Sequence, residues 1–456
     1  MKNYYNDIRK QLDEVSSSFC LAKWSQLTLY LQNGYNHSCH HPTPHKIPLK
    51  ELDKNHKALH NTKYKKRQMR QMLNGKRPSE CEYCWKIEDL GNDYISDRIY
   101  KSSNSFSQVK KNEVLEKRTD DIEPSYLEVS FSNTCNMKCA YCSPDISSAW
   151  MEEIERFGGY PTSTKYNDIN YFKDNLKIPY KKSEQNPYVD AFWKWWPELY
   201  PKLHTLRITG GEPLLSNDTW KVIDELIENP NPNLIFSINT NLMVPDVLIN
   251  RLIDKFNQLD GKVKELQIFV SGESTGTHAE YIRFGTTYEI WQSNCEKVLS
   301  SVKNVLFSIM TTVNLTSCIT YIDFLRYILK LRSIYNKDVE FNKVQFMTNY
   351  LRYPEFLSIQ LLDDENKELF KTEIEQLIKD REFKNWEDDG YLTDEQINQL
   401  ERLVEYMYIE LPTQKINENR KDFYLFTSEY DKRRGTDFSK TFPQLNKFYK
   451  LCQAKI

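Results

Sequence analysis

The sequence predicts an α/β protein. Its central part forms six parallel strands closed or partly closed into a barrel, preceded by a cysteine-organised N-terminal domain (1–121) and followed by a helical segment (352–456). Three observations carry this expectation. Between about 122 and 351, six short β-rich runs alternate with amphipathic stretches, the pattern of parallel βα units. Seven of the ten cysteines fall between residues 20 and 142, in two spaced groups. The last part of the chain is highly charged and patterned as helix.

At about 150 residues per domain, 456 residues allow roughly three domains and exclude a disulfide-stapled module or a peptide hormone. The formal charge is -2, so no global field draws the chain to nucleic acid or to acidic membranes. No apolar run approaches the roughly 18 residues of a membrane helix, and MKNYYNDIRK lacks the apolar stretch of a signal peptide. The expectation is a cytoplasmic protein without membrane or nucleic-acid partners. Hydrophobic residues make up only 39 %, but 29 Tyr, 22 Phe and 9 Trp supply core volume and argue against disorder.

Residues 1–121 hold four cysteines, six of the eight histidines and no repeated strand pattern, which predicts a small, mainly helical domain. Lys63 to Leu73 reads as a helix stopped by Asn74-Gly75 and Pro78. The basic run from Lys63 to Arg77 reads as a solvated helix face, the alternative being a patch for an acidic substrate, a redox partner or nucleic acid. The barrel strands are predicted at Tyr126–Phe131, Leu203–Thr209, Leu234–Thr240, Leu266–Val270, Val305–Val313 and Val344–Met347. Helices are predicted at Asp218–Glu228, Pro245–Asn257, Tyr288–Ser300 and Thr320–Ser333. The first connection is longest, and its 158–200 stretch is rich in Tyr, Phe and Trp, Tyr166 among them. Such an insertion either caps the barrel mouth or packs its rings onto the barrel. Asp364–Asp380 and Thr393–Ile409 read as helices that cover the barrel opening or meet another subunit.

Without an export signal, ten cysteines point to metal or redox chemistry instead of a disulfide framework. At the end of the first predicted strand, Cys135, Cys139 and Cys142 form a C-x3-C-x2-C loop. Active sites of such sheets gather at strand C-termini. Three thiolates on one tight loop can each hold an iron of a 4Fe-4S cube and leave the fourth iron open; a zinc loop or plain buried cysteines are the alternatives. This loop, with the aromatic Tyr141 before its last cysteine, resembles the signature of the radical S-adenosylmethionine (SAM) superfamily.

Further elements extend the resemblance. Glycine is scarce, 13 in all, so Gly210-Gly211 before Glu212-Pro213 carries information. The element resembles the family's Gly-Gly-Glu-Pro, which implies that it receives the SAM amino group. Asn239 and Asn241 stand in a run similar to the family's Thr-Asn element, with Leu242 where a glycine is expected. Ser271 and Glu273 resemble its Ser-x-Asp loop facing the ribose, with Glu in place of Asp. Arg283 stands where relatives pair an arginine with the SAM carboxylate, the alternative being a surface ion pair.

The second group, Cys20, Cys39, Cys81 and Cys84, with Gly34 between the first two, resembles the twitch half-domain related to SPASM domains. That resemblance implies a second 4Fe-4S cluster, saturated by four thiolates and suited to electron transfer. A zinc site, with help from His37, His40, His41 or His45, is the alternative.

The resemblance as a whole implies a partial (β/α)6 radical SAM barrel. Such an enzyme cleaves SAM to a 5′-deoxyadenosyl radical that takes hydrogen from a small molecule, fed by an electron donor such as flavodoxin or ferredoxin. A maturase of a ribosomally made peptide is the competing enzyme reading. A zinc-organised binding module is the reading from another class.

Overall fold

The computed structural model describes residues 2–91, 93–164, 167–337, 339, 341–380 and 391–456. Its strands are β1 (Gln26–Tyr30), β2 (Tyr35–His37), β3 (His45–Lys46), β4 (Tyr126–Ser130), β5 (Lys138–Cys139), β6 (Thr205–Thr209), β7 (Asn231–Thr240), β8 (Val263–Ser271), β9 (Arg283–Phe284), β10 (Leu306–Val313) and β11 (Val344–Tyr350). Nine of them form one sheet in the order β11-β10-β8-β7-β6-β4-β1-β2-β3, while β5 and β9 pair separately. The six expected barrel strands are neighbours in chain order, all parallel.

Helices Asn217–Glu228, Asp246–Leu259, Tyr288–Ser301 and Tyr321–Tyr335 lie between these strands, close to the expected limits. Alternation along the strands sends Leu127, Val129, Leu206, Ile208, Ile268 and Val270 into the main apolar core. The opposite face carries Glu128, Arg207, Asn239 and Gln267, only partly covered.

Residues 1–121 are mainly helical, as expected, but also carry three short strands. Gln26–Tyr30 pairs in parallel with β4, from Gln26 opposite Tyr126 to Tyr30 opposite Ser130, and two antiparallel strands extend the sheet beyond it. Each strand is five residues or fewer, and all three stand among helical stretches, outside the strand–helix alternation that marks the central part. The Lys63–Leu73 helix forms as expected, with Thr62 as its N-cap, but the basic run is not simply a solvated face. Lys65 is 2 % exposed, with its ammonium 2.8 Å from His60 Nδ1, and Lys66 pairs with Asp121.

The aromatic insertion joins these added strands to the barrel. Its helix Pro187–Leu199 buries Tyr188, Phe192, Trp195 and Trp196 in the main core. The Tyr188 hydroxyl donates to Ile47 O at 3.1 Å, and Asn186 Nδ2 donates to Leu31 O at 2.9 Å. Gly34, in the left-handed region at φ +68°, turns the chain beneath the Tyr188 ring, where any Cβ would collide. Most of the insertion's rings are therefore packing. Tyr166 lies outside the described residues.

The C-terminal segment is helical, at Asp364–Asp380, Asp394–Met407, Thr413–Arg434 and Asn446–Gln453. Gln399 Oε1 accepts from Thr348 N at 2.8 Å and Tyr406 stacks on Tyr350, so this segment covers the β11 edge. No helix among the described residues is long and apolar enough to cross a membrane. Tyr188→Ala should lower unfolding free energy by about 3–5 kcal/mol, as for other buried aromatics. Denaturant titration checks this, and a loss below about 1 kcal/mol would remove the helix from its joining role.

Candidate functional site

The three-cysteine loop leaves the C-terminal end of β4 and is held from three sides. Ser147 caps the helix Ser148–Phe157 and donates to Met137 O at 2.8 Å, and Ser148 Oγ accepts from Cys135 N at 3.2 Å. Trp150 Nε1 donates to Cys139 O at 2.9 Å. On another side, β5 pairs with β9, placing Cys139 opposite Arg283, and Ala140 N donates to Ile282 O at 2.7 Å.

The third side is the Gly-Gly-Glu-Pro turn. Gly211 N donates to Ser132 O at 3.2 Å and Glu212 N to Thr134 O at 2.7 Å. A Cβ on Gly211 would meet Thr134 O at 2.3 Å, and Gly210 has φ +126°. Only glycine lets these two backbones touch.

Glu212 is 1 % exposed. It accepts from Leu214 N at 3.1 Å, Thr240 Oγ1 at 2.8 Å and Asn241 N at 2.7 Å, tying the β6 turn to the β7 turn. Burial pushes its carboxyl up to about 7, against these three donors. Asn241 Nδ2 in turn donates to Asn136 Oδ1 at 3.0 Å, inside the cysteine loop. Leu242, at the expected glycine position, adopts φ +54° and is fully buried. The backbone conformation that favours glycine is therefore present without it.

Tyr141, Glu273 and Arg283 form a second, closed group. Arg283 Nε and Nη2 donate to the two Glu273 oxygens at 3.0 and 2.5 Å, the Tyr141 hydroxyl donates to the same carboxylate at 3.0 Å, and Arg283 Nη1 lies 3.8 Å from Cys139 Sγ. This is a buried ion pair beside a candidate iron ligand, not a surface one. Asn239 and Ser271 stand apart from both groups, on the open face. Asn239 Oδ1 accepts from Arg207 Nε at 2.9 Å, and Ser271 is the register partner of Met310.

Sequence reasoning missed Arg434. It ends the helix Thr413–Arg434, donates to Glu153 at 3.2 Å and to Lys138 O at 2.9 Å, and lies over the rings of Trp150, Phe284 and Tyr430. An arginine pair before a helix-ending glycine signals only a C-terminus; the fold alone brings it to the loop. Burial pushes the Cys135 thiol up to about 12. Burial also raises Cys139; Arg283 pulls its thiol back toward the thiolate, Glu273 opposes that pull, and Arg434 adds a smaller one in the same direction as Arg283. The donor set thus fits a cationic group that stabilises three thiolates.

Cys20, Cys39, Cys81 and Cys84 line one pocket with Lys23, His41, Arg98 and Lys101. The other candidate histidines are engaged elsewhere. His37 bonds with Tyr30 and Cys39 O, His40 with Lys101, and His45 with Thr62. Burial, followed by Lys101, pushes His40 down to about 4. Four thiols surrounded by lysine and arginine suit an anionic thiolate-bound cluster. Among the described residues, no three His, Cys, Asp or Glu side chains are grouped so as to hold a single metal ion.

The chain thus has a parallel βα sheet with three cysteines on the loop after β4, glycines pressed against that loop and a buried Glu–Arg pair beside it. Residues 129–316 match the family model described as the Radical SAM superfamily, from within β4 to just past β10, and this domain indicates an enzyme. No curated protein matches the chain.

Two outcomes follow from this geometry. A carboxyl whose folded pKa is raised contributes most below its unfolded value, so wild-type stability should fall as pH rises from about 4.5 through 7; Glu212→Gln should flatten that slope in denaturant titrations across pH. Arg434→Ala should cost about 3 kcal/mol by leaving Glu153 underpaired in a buried site, and adding Glu153→Gln should recover part of it.

Proposed function

We propose that the protein is a radical SAM enzyme that reductively cleaves SAM to methionine and a 5′-deoxyadenosyl radical, which takes a hydrogen atom from a small-molecule substrate. The observation that carries this reading is the placement of Cys135, Cys139 and Cys142 at the C-terminal end of β4, within the matched domain. These three residues would hold a 4Fe-4S cluster, and Cys20, Cys39, Cys81 and Cys84 a second one that relays electrons. A donor such as flavodoxin or ferredoxin would supply them.

The chain's own groups have separable tasks. Arg283 and Arg434 favour the thiolate of Cys139. Glu212 and Asn241 hold the turns after β6 and β7 against the cysteine loop. Gly210 and Gly211 let the β6 turn press against the cysteine loop, and SAM would lie between that loop and the open face, with Tyr141, Glu273 and Arg283 on one side and Asn239 and Ser271 on the other. Tyr141 and Glu273 hold Arg283 in place, and its remaining Nη1 faces Cys139 and would be the nitrogen left for the SAM carboxylate.

Anaerobically reconstituted protein with a strong reductant should release 5′-deoxyadenosine and methionine from SAM, and alanine at Cys135, Cys139 and Cys142 should abolish it. Parent-rate cleavage by the triple variant overturns the reading. Removing Cys81 and Cys84 should lower total iron by about half, one of two equal cubes, while part of the SAM cleavage persists. Zinc in place of iron at those positions would end the electron-relay assignment.

A further inference from the structure

Helices cover one face of the barrel sheet and leave the other open, and the open face holds two opposite charges that do not pair. Glu128 on β4 and Arg207 on β6 are register partners, so both side chains leave the sheet on that face. The groups that touch Arg207 are neutral, among them the Tyr126 hydroxyl, which stands between it and Glu128. Nε donates to Asn239 Oδ1 at 2.9 Å, Nη2 lies 3.1 Å from Met310 Sδ, and the guanidinium sits 4.3 Å from the centre of the Phe269 ring. Among the described residues, Glu128 accepts from the Tyr126 hydroxyl alone, at 3.3 Å. Among the described residues, Arg207 has no carboxylate and Glu128 no cation in ion-pair contact.

A half-buried guanidinium held in place by an amide, a thioether and an aromatic face keeps both its charge and its free N–H groups for an outside acceptor. Its partners also mark its depth. Asn239 is a candidate SAM contact, and Met310 is the register partner of Ser271, another one. Arg207 itself pairs with Ser237, two residues before Asn239, so it lies one layer deeper in the barrel.

We infer that the open face binds the substrate by an anionic group, a carboxylate or a phosphate, gripped by Arg207, with Glu128 beside it to accept from an adjacent ammonium. The substrate class is a small anion or zwitterion anchored at the barrel floor, with its remaining atoms directed toward Ser271 and the cysteine loop. The inference rests on the radical reading for its purpose, while the anion site stands on Arg207 and its neutral partners.

Acetate, inorganic phosphate and glycine are the probes, titrated by calorimetry into full-length reconstituted protein. At least one should bind saturably, and the comparison of acetate with phosphate names the anion. Arg207→Gln should weaken that binding by about ten- to a hundred-fold, the loss of a charged hydrogen-bond partner. Asn239→Asp, nearly identical in shape, should weaken it similarly by giving Arg207 an internal carboxylate. If circular dichroism shows that Arg207→Gln does not fold, Asn239→Asp decides alone.

Glu128→Gln should spare acetate and phosphate and weaken glycine, and equal glycine binding would overturn the ammonium half of the site. No saturable binding of any probe, or wild-type binding by the folded variants, overturns the whole inference. SAM cleavage by the same preparations separates the two readings: cleavage without probe binding fails the anion site alone, and Arg207-dependent binding without cleavage fails the radical reading alone.

Discussion

The two-residue ladder between Lys138–Cys139 and Arg283–Phe284 is the constraint on which the site depends. It joins the loop after β4 to the chain beyond β8 and aligns Cys139 with Arg283, so a candidate iron ligand and the Glu273–Arg283 pair share one short stretch of backbone. A two-stranded ribbon this short has no independent stability. It persists because Ser147, Ser148 and Trp150 hold the loop on one side and the backbone N–H groups of Gly211 and Glu212 donate to it on another.

Charge is distributed to match. The arginines near Cys139 come from β9 and from the end of a helix about 150 residues further along the chain, and each is neutralised by its own carboxylate, Glu273 or Glu153. The positive field at the thiol is thus accompanied by buried anions that keep the arginines from being stranded in a low-dielectric interior. Arg207 differs, because the groups it touches are neutral and, among the described residues, no carboxylate is in ion-pair contact with it.

The N-terminal cysteines reach the barrel through a shared sheet. β1 pairs with β4 along its whole length, and Tyr188 of the insertion packs under Gly34 in the turn between β1 and β2. The segment that carries Cys20, Cys39, Cys81 and Cys84 is therefore joined through the sheet to the strand that presents the three-cysteine loop.

Much of this was legible in the sequence. The six barrel strands and the helices between them follow from apolar periodicity, which local burial enforces residue by residue. The cysteine loop, Gly210-Gly211-Glu212 and the four-cysteine set are local spacings, and the structure gathers each set at one place. What the sequence could not determine is long-range. Gln26–Tyr30 stands among helical stretches, outside the strand–helix alternation, and its place beside β4 is a pairing across 100 residues. Arg283 reads from sequence as a ligand group or a surface ion; burial with Glu273 selects a third state. The basic run reads as solvated because a one-dimensional charge count is blind to Lys65 turning inward onto His60. Arg434 and the unpaired Arg207–Glu128 register belong to tertiary structure alone, because a charge acquires its role from which partners the fold places within reach and which it withholds.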